Sequence, residues 1–363
     1  KLCSLSKVPR LSGRGTYFYR CLPPLNIVTV DRDVLYYSCE KEALMNIGII
    51  GAGHIAGKMA LTIQACTNAN AYAIASRSYE KACEFAAEYG FAHAYGSYDE
   101  LAGDPEVELV YVATPHSFHY EHIRMCLEHG KNVLCEKSFT LDASQASELI
   151  SMAENRGLFL GEAIWTRYLP MRFTLDNLIK SKIIGEVMSV SASLSYPIAH
   201  KERIIRKDLG GGALLDIGVY CVNFASMVLG NDIREITASA VLNANGMDMA
   251  DGITMLYENG KMAVLHCDAR TAGSRDGIVY GTDGYIVFHN INNCEGIDVY
   301  NSSHEIISHI DTPAQITGFE YELDAAIEAI QNGRTECARM PHAEIIAVME
   351  IMDRIREKTG VEY

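Results

Sequence analysis

The feature that most constrains the fold is a short apolar run followed at once by a glycine-rich turn and a helical pattern. Asn46–Ile50 has the composition of a buried parallel strand, and Ile55–Ala65 has that of a helix. The turn that joins them reads Gly51-Ala52-Gly53-His54-Ile55-Ala56, a GxGxxA pattern. The first glycine permits the tight turn, the second lets a pyrophosphate approach the backbone, and the alanine lets the helix pack against the strand. Because the pattern lies between a strand and a helix, it favours a dinucleotide site over a glycine-rich turn without a ligand.

The end of the next strand bears on the choice of cofactor. Ala71–Ala75 is followed by Ser76-Arg77-Ser78, where a site that prefers NAD usually places an acidic residue for the ribose 2′-hydroxyl. A hydroxyl and a guanidinium are instead donors that suit a 2′-phosphate, so we expect NADP, with NAD as the alternative. Ser78 as the cap of a helix over Tyr79–Tyr89, and Arg77 as a solvated surface charge, are the simpler explanations.

Strands and helices continue to alternate as far as residue 165, which is the pattern of a doubly wound parallel sheet. The further strands are predicted at Leu109–Ala113, Asn132–Cys135 and Leu158–Ala163, and the helices at Phe118–His129 and Ala143–Arg156. We therefore expect an α/β chain with a Rossmann domain over residues 45–165. Strand ends are where such folds place ligands, and two of them carry polar side chains here. These are Thr114-Pro115-His116-Ser117-Phe118-His119 and Glu136-Lys137-Ser138.

Past about residue 166 the alternation of strands and helices is lost, and most segments resemble strands. In residues 188–196, apolar side chains alternate with serines, as in a strand with one polar face. Further strands are predicted at Glu235–Leu242, Thr254–Tyr257, Met262–Asp268, Gly277–Tyr280, Tyr285–Phe288 and Ile297–Tyr300. Helices are predicted at Met171–Lys180, Ala213–Leu229, Ile316–Gln331 and His342–Lys358. We expect residues 166–363 to form an α+β substrate domain with a large, mostly antiparallel sheet and helices on one face.

Composition narrows the class of protein. The 363 residues include 31 Lys and Arg against 46 Asp and Glu, a net charge of −15, so nucleic acids and anionic membranes are poor partners. The 48% apolar content is that of an ordinary globular protein, and no run approaches the length of a membrane span. Eleven cysteines without paired spacing predict reduced thiols and a cytoplasmic protein.

Residues 1–44 differ from the rest of the chain in charge and in pattern. They are net basic, contain Pro9, Pro23 and Pro24, and show neither a sustained periodicity nor the apolar core of a secretory signal. A short strand is conceivable at Leu25–Val30, without an identifiable partner. We expect an extension outside the fold, with Met45 as the natural start, rather than a targeting or regulatory arm.

Four ordered motifs resemble the glucose–fructose oxidoreductase and inositol dehydrogenase family (Gfo/Idh/MocA), from Met45 to the end of the chain. The family's Glu-Lys-Pro is present as Glu136-Lys137-Ser138, and its Thr-Pro-Asn-x-x-His as residues 114–119, with His116 replacing the asparagine. The segments 162–170 (EAIWTRYLP) and 210–220 (GGGALLDIGVY) are similar to the dihydrodiol dehydrogenase branch of that family.

The resemblance implies a site between the two domains. It implies that the cofactor is bound by the glycine turn with His54 and Ile55, and by Ser76 and Arg77. It also implies contacts from the polar side chains at the two strand ends, and from Trp165 and Arg167. The cofactor residues at those strand ends are Thr114, Pro115, His116, His119, Glu136 and Lys137. It implies catalysis by Lys137, Asp216 and Tyr220, and a homodimer formed through the open sheet.

In this interpretation Asp216 and Tyr220 share a helix face near Lys137. Lys137 is expected to favour the phenolate of Tyr220, Asp216 to keep the lysine charged, and Tyr220 or Lys137 to carry the substrate proton. Without the motifs, a surface lysine, a charge at a helix start and a core-edge tyrosine would be the simpler explanations.

The function expected is NADP-dependent hydride transfer to or from a secondary alcohol or ketone of a small sugar, polyol or cyclic diol. The alternatives are a trans-dihydrodiol dehydrogenase for aromatic diols and a sensor that binds NADP without turnover. No metal is expected, because His116, His119 and His122 point in different directions and lack a carboxylate to complete the set. No hydrolase motif is present.

Overall fold

The structure is a computed structural model that describes residues 26–29, 35–38 and 44–363. In the first part, β1 (Asn26–Thr29) and β2 (Leu35–Ser38) pair antiparallel. The strand considered at Leu25–Val30 is thus present, with a partner that the sequence did not reveal. Most of residues 1–44 lie outside the described part of the chain. That they form an extension outside the fold therefore stays a prediction.

The first sheet is built from six short strands that are largely buried. They are β3 (Met45–Ile50), β4 (Ala69–Ala75), β5 (His93–Tyr95), β6 (Leu109–Val112), β7 (Asn132–Glu136) and β8 (Leu160–Ala163). All neighbours are parallel in the order β5-β4-β3-β6-β7-β8, which confirms the doubly wound α/β sheet. The strand order reverses between β3 and β6, so a crevice opens at the carboxyl ends of these two strands.

Five helices connect these strands. They are α1 (His54–Ala65), α2 (Tyr79–Tyr89), α3 (Tyr98–Gly103), α4 (His119–Glu128) and α5 (Ala143–Arg156). Local signals explain their ends: the Ser78 hydroxyl accepts from the Lys81 N–H at the start of α2, and Gly90 ends that helix in the left-handed conformation. Ser78 is therefore the cap of α2, which is the simpler explanation given for it in the sequence analysis.

The second sheet has eight strands. They are β9 (Val187–Ser195), β10 (Ile233–Leu242), β11 (Asp248–Tyr257), β12 (Met262–Asp268), β13 (Gly277–Gly281), β14 (Gly284–His289), β15 (Gly296–Asn301) and β16 (Ile306–Ile310). Their order is β10-β11-β12-β9-β13-β14-β15-β16, and only β9 and β12 pair in parallel. This confirms the large, mostly antiparallel sheet. The last strand of the parallel sheet ends at Ala163, before the predicted domain boundary at 165/166. The boundary itself stays a prediction.

Five helices accompany the second sheet. They are α6 (Pro170–Lys180), α7 (Glu202–Ile205), α8 (Val219–Leu229), α9 (Glu320–Gln331) and α10 (His342–Thr359). A π-helical turn, Leu214–Gly218, leads directly into α8. The helical stretch 207–229 is long and apolar enough to cross a membrane, but most of it is buried within the protein. Its apolar composition is therefore explained by core packing.

Helix α9 starts later than predicted. Expected from Ile316, it begins at Glu320, because the Glu320 carboxylate accepts from the backbone N–H groups of Ile316, Thr317 and Gly318 and holds them as a turn. Gly318 has a φ of +92°, which a helix does not allow. Five short elements, β2, β5, α3, α7 and β16, have no counterpart in the sequence-based prediction, since segments of six residues or fewer carry little periodicity.

Candidate active site

A cleft of about 280 Å³ opens between the carboxyl ends of the first sheet and the π-helical turn with α8. Six of the residues predicted as functional line it: Ile55, Glu136, Lys137, Trp165, Asp216 and Tyr220. These side chains come from widely separated parts of the sequence. The structure therefore brings the proposed catalytic set and part of the proposed cofactor set together.

The glycine turn has the geometry that a dinucleotide requires. Gly51 has a φ of +96°, and a Cβ atom there would lie 2.7 Å from the carbonyl oxygen of Ala113. A Cβ atom on Gly53 would meet nothing within 4 Å, so the space in front of this residue is open. His54 begins α1, which has neither a side-chain cap nor an acidic residue in its first turn. An open approach to uncapped N–H groups fits the pyrophosphate of NAD(P).

The end of β4 presents one buried hydroxyl and one exposed guanidinium. Ser76 is buried, whereas Arg77 is exposed and forms no ion pair with any residue of 44–363. Nothing in this segment is acidic before Glu80. Its donor set fits a 2′-phosphate better than a 2′-hydroxyl.

Lys137 and Asp216 form the polar centre of the cleft. The Nζ atom of Lys137 donates to the backbone oxygen of Asp216 at 2.6 Å and to its Oδ1 at 3.1 Å. The other carboxylate oxygen accepts from Arg203 Nη2 at 3.0 Å. Burial acts to raise the pKa of Asp216, but Lys137 and Arg203 outweigh it, so the pKa lies below its ordinary value. Asp216 is therefore a carboxylate held by two cations.

Tyr220 stays protonated, contrary to the expectation that Lys137 would favour its phenolate. Burial raises the pKa of the Tyr220 hydroxyl well above its ordinary value, and three acidic side chains raise it further. These are Glu136, Asp216 and Glu322. The Lys137 ammonium is paired with Asp216 and lies 5.3 Å from the centroid of the tyrosine ring. The Tyr220 hydroxyl therefore carries its proton at neutral pH and can donate a hydrogen bond to a bound ligand.

The loop after β6 connects the first sheet to the glycine triplet. Pro115 precedes a 3₁₀ turn, and His116 Nδ1 lies 2.9 Å from the carbonyl oxygen of Gly210. Burial, followed by the charge of Lys137, lowers the pKa of His116 to about 3, so its ring is neutral. His119 is fully buried, with its ring nitrogens 2.8 Å from the carbonyl oxygens of Thr114 and Ser138. His119 therefore supports the loop and the Lys137–Ser138 backbone rather than facing the cleft.

The peptide bond between Lys137 and Ser138 is cis. Ser138 stands where the family's motif has proline. Its hydroxyl donates to the carbonyl oxygen of Leu215 at 2.7 Å, one residue before Asp216. The replacement of proline by serine therefore leaves Lys137 in the cleft.

Trp165 forms one wall of the cleft with residues that the motifs did not indicate. Its ring packs on Phe319 at a centroid distance of 4.7 Å, and its Nε1 donates to Asn292 Oδ1 at 3.0 Å. Asn292 in turn donates to the Tyr196 hydroxyl at 3.1 Å. Phe319, Asn292 and Tyr196 lie in connecting segments without a recognisable motif, so no sequence signal pointed to them.

Arg167 does not reach the cleft, in contrast to the expectation drawn from the resemblance. It is 6% exposed, and its guanidinium contacts Asn223 and Ser226 of α8 and the Glu344 carboxylate. Three polar partners use its donors, so it holds α8 in place.

Within residues 44–363, no cluster of three or more His, Cys, Asp or Glu side chains is arranged to hold a metal ion.

Comparisons with known proteins match this architecture. Residues 45–163 match the profile of the oxidoreductase family with an NAD-binding Rossmann fold, and residues 174–287 match the GFO/IDH/MocA C-terminal domain. The chain is 35% identical over 324 residues to trans-1,2-dihydrobenzene-1,2-diol dehydrogenase of Xenopus tropicalis, covering 87% of this chain and 98% of that protein. The human enzyme of that name is 31% identical over 324 residues, covering 87% and 97%.

Solved structures agree with the fold. A 3-ketoreductase from Actinomadura kijaniata, in complex with NADP and TDP-benzene, superposes with a TM-score of 0.81 at 26% identity, over 87% of this chain and 98% of that one. A levoglucosan dehydrogenase in complex with NADH and levoglucosan has a TM-score of 0.79 at 19% identity, over 87% and 97%, and shows the shared fold.

The Rossmann sheet, the open glycine turn and the polar cleft define an NAD(P)-dependent oxidoreductase. With both of its halves matched, the chain belongs to the Gfo/Idh/MocA family.

Proposed function

We propose that this enzyme uses NADP to interconvert a secondary alcohol and a ketone of a small sugar, polyol or cyclic diol. The observation that carries the proposal is the convergence of Lys137, Asp216 and Tyr220 on one cleft beside the open glycine turn. A sensor that binds cofactor without turnover would not need a paired ammonium and a protonated phenol at the same point. The preference for NADP rests on the Arg77 guanidinium, which is exposed and has no ion-pair partner among residues 44–363.

When bound, the nicotinamide supplies or accepts the hydride; the protein residues handle the proton and the developing charge. Tyr220, whose high pKa keeps it neutral, donates its proton to the oxygen of a ketone as that oxygen gains electron density. Lys137 stabilises the same oxygen electrostatically. Asp216 orients Lys137 and holds its charge in the cleft. In the oxidative direction the Tyr220 phenolate left by that step takes the proton back from the substrate hydroxyl.

The walls of the cleft favour a ring-shaped substrate. Trp165 and Phe319 offer flat apolar surfaces, while Tyr196 and Asn292 offer hydroxyl and amide groups close to them. Sugars and cyclic diols present both an apolar face and hydroxyl groups. This combination supports the proposed substrate class without selecting one member of it.

Oxidation of aromatic trans-diols is the second candidate. The relatives at 35% and 31% identity carry the name of that activity, and the aromatic surfaces of Trp165 and Phe319 suit an aromatic ring. A panel of sugars, polyols, cyclic diols and trans-dihydrodiols, followed by the absorbance of reduced cofactor, separates the two candidates. Saturable turnover with a sugar or polyol supports the first, and turnover confined to aromatic diols supports the second. NADP binding without turnover on any class contradicts both.

We also propose a homodimer formed through the outer face of the second sheet. Met188 and Val264 are 51% and 50% exposed on this face, and Tyr285 and Tyr300 stack at 4.5 Å beside it. Exposed apolar side chains on a broad sheet are typical of an interface. Val264→Asp is expected to shift the mass in solution from dimer to monomer, as measured by light scattering. A monomeric wild type would contradict the proposal.

The cysteines that the structure describes are free thiols, which supports the proposed cytoplasmic location.

A further inference from the structure

The cleft carries more positive charge than the proposed reaction requires. Four cationic side chains line it: Lys58 from α1, Lys137, Lys201 at the start of α7, and Arg203. Asp216 is paired with two of them, Lys137 and Arg203. Lys58 and Lys201 form no ion pair with any residue of 44–363. Two ammonium groups, one from α1 and one from the start of α7, are therefore available to a ligand.

The remaining acidic group in the cleft does not neutralise these lysines. Glu136 is buried, and its carboxylate lies against Tyr111 and the backbone N–H of Lys137. Burial raises its pKa, and its oxygens are held by these two donors rather than by either of these lysines. The chain as a whole has a net charge of −15, which makes a local excess of cations at this one cleft unlike its average surface. Ile55, Trp165 and Phe319 give the same cleft apolar walls, so the cations stand beside low-dielectric surface.

The phosphates of the cofactor have other partners in this structure. The glycine turn and the N-terminus of α1 fit the pyrophosphate, and Arg77 at the end of β4 fits a 2′-phosphate. Lys201 lies instead in the second half of the chain and lines the cleft with Tyr196 and Tyr220. Its position corresponds to the substrate side of the cleft.

We propose that Lys58 and Lys201 form an anion subsite, and that the natural substrate is a sugar, polyol or cyclic alcohol that carries a carboxylate or a phosphate. This inference rests on the proposed function and adds the charge of the substrate to it. Both lysines are exposed at the cleft, and a neutral diol would leave their ammonium groups without a counter-charge. An anionic group would pair with them while the reacting carbon faces Tyr220.

Trp165 allows a direct binding test, because it is the only tryptophan and lines the cleft. The enzyme saturated with NADP is titrated with glucuronate and glucose, and with a hexose phosphate and its parent hexose, while tryptophan fluorescence is followed. We expect one anionic member to bind at least about tenfold more tightly than its neutral partner, as charge-assisted contacts allow. The pair that shows the difference distinguishes a carboxylate from a phosphate. The difference should shrink at about 1 M salt, where charges are screened within about 3 Å.

The lysines are tested by Lys58→Met and Lys201→Met, with Lys180→Met as the matched control. Lys180 is exposed at the end of α6 and does not line the cleft. We expect both cleft variants to lose the preference for the anion while their affinity for NADP and their turnover of neutral substrates stay unchanged. The control variant should behave as the wild type.

Two results would overturn the subsite. One is equal binding of the anionic and neutral partners by the wild type. The other is a loss of NADP affinity in the lysine variants without a change in their anion preference, which would assign these lysines to the cofactor. Absence of turnover with every substrate, while the anion still changes Trp165 fluorescence, would instead contradict the proposed reaction and leave the subsite standing.

Discussion

The Nζ atom of Lys137 donates to two oxygens of Asp216, the backbone carbonyl at 2.6 Å and Oδ1 at 3.1 Å. Lys137 directly follows β7 of the first sheet, whereas Asp216 lies in the π-helical turn that leads into α8. The two hydrogen bonds therefore fix the distance between the two sides of the cleft. Because Tyr220 lies one turn after Asp216, the same contact also sets the position of Tyr220 relative to the lysine.

Replacing Lys137 by Met should remove this connection and the charge near the reacting oxygen. Turnover is expected to fall by at least ~10²-fold, because Lys137 stabilises the charge on the reacting oxygen and also sets the position of Tyr220, the proton donor. Arg203 still pairs with Asp216 in the variant, so the protein should fold. Steady-state rates and circular dichroism melting curves check both statements, with Lys180→Met as the control. Near-normal turnover in a folded Lys137→Met enzyme would remove the lysine from the mechanism.

Tyr220→Phe removes one hydroxyl and keeps the ring. Cofactor affinity should therefore survive, while turnover should fall by ~10²–10⁴, the usual contribution of a positioned acid or base. Rates measured on a substrate identified by the panel, together with NADP titrations of the same variant, test this expectation. If the variant keeps wild-type turnover, another group carries the proton.

Arg77→Asp should reverse the choice of cofactor. The wild-type guanidinium can form charge-assisted hydrogen bonds to a 2′-phosphate, worth ~1.5–3 kcal/mol, and a carboxylate at this position would repel it. We expect NADP affinity to fall at least about tenfold and NAD affinity to stay equal or rise. Isothermal titration with each cofactor measures this directly. Equal NADP affinity in variant and wild type would contradict the assignment.

Gly51 and Gly53 should respond differently to alanine. A Cβ atom on Gly53 meets no protein atom within 4 Å, so Gly53→Ala should keep the melting temperature and lose affinity for NADP, whose pyrophosphate needs that space. At Gly51, a Cβ atom would lie 2.7 Å from the Ala113 carbonyl oxygen, and the φ of +96° is strained for any other residue. Gly51→Ala should therefore lower the melting temperature even without cofactor. Unchanged NADP affinity in Gly53→Ala would place the pyrophosphate elsewhere.

The sequence was sufficient to predict the fold and the centre of the site, because both depend on local motifs. The strand–turn–helix around Gly51 specifies a Rossmann unit by itself, and the spacing of Asp216 and Tyr220 places them on one helix. Their meeting with Lys137 followed from the family resemblance and is present in the structure.

The properties that were not predicted depend on residues distant in sequence. The high pKa of Tyr220 arises from burial and from acidic groups that include Glu322, about a hundred residues further along the chain. Phe319 and Asn292 complete the wall around Trp165 from loops of the second half. Arg167 was assigned to the cleft from its motif, but its contacts with α8 and α10 hold its side chain outside the cleft. Such contacts are set by tertiary packing, which leaves no periodicity in the sequence.

A buried pair of acids behind the cleft predicts how stability depends on pH. Asp248 Oδ2 accepts from the Leu214 N–H at the start of the π-helical turn, and Cys267 donates to Asp251 Oδ2 at 3.3 Å. The Oδ1 atoms of both aspartates are buried and lack a donor among the described residues, as two acids that share one proton would require. Burial, together with the Asp248 carboxylate, raises the pKa of Asp251 to about 9.

Between pH ~4, where an unfolded aspartate releases its proton, and pH about 9, the folded protein holds one more proton at Asp251 than the unfolded chain does. The contribution of Asp251 to the free energy of unfolding therefore falls as the pH rises through this range, and it levels off above it. Asp251→Asn removes the titration and offers Asp248 a permanent N–H donor. We expect the melting temperature of this variant to rise relative to that of the wild type as the pH is raised from about 5 to about 8. Asp283→Asn, which changes an exposed carboxylate, serves as the control and should follow the wild type at every pH. Parallel curves for Asp251→Asn and the wild type would show that Asp251 is already ionised in the folded protein.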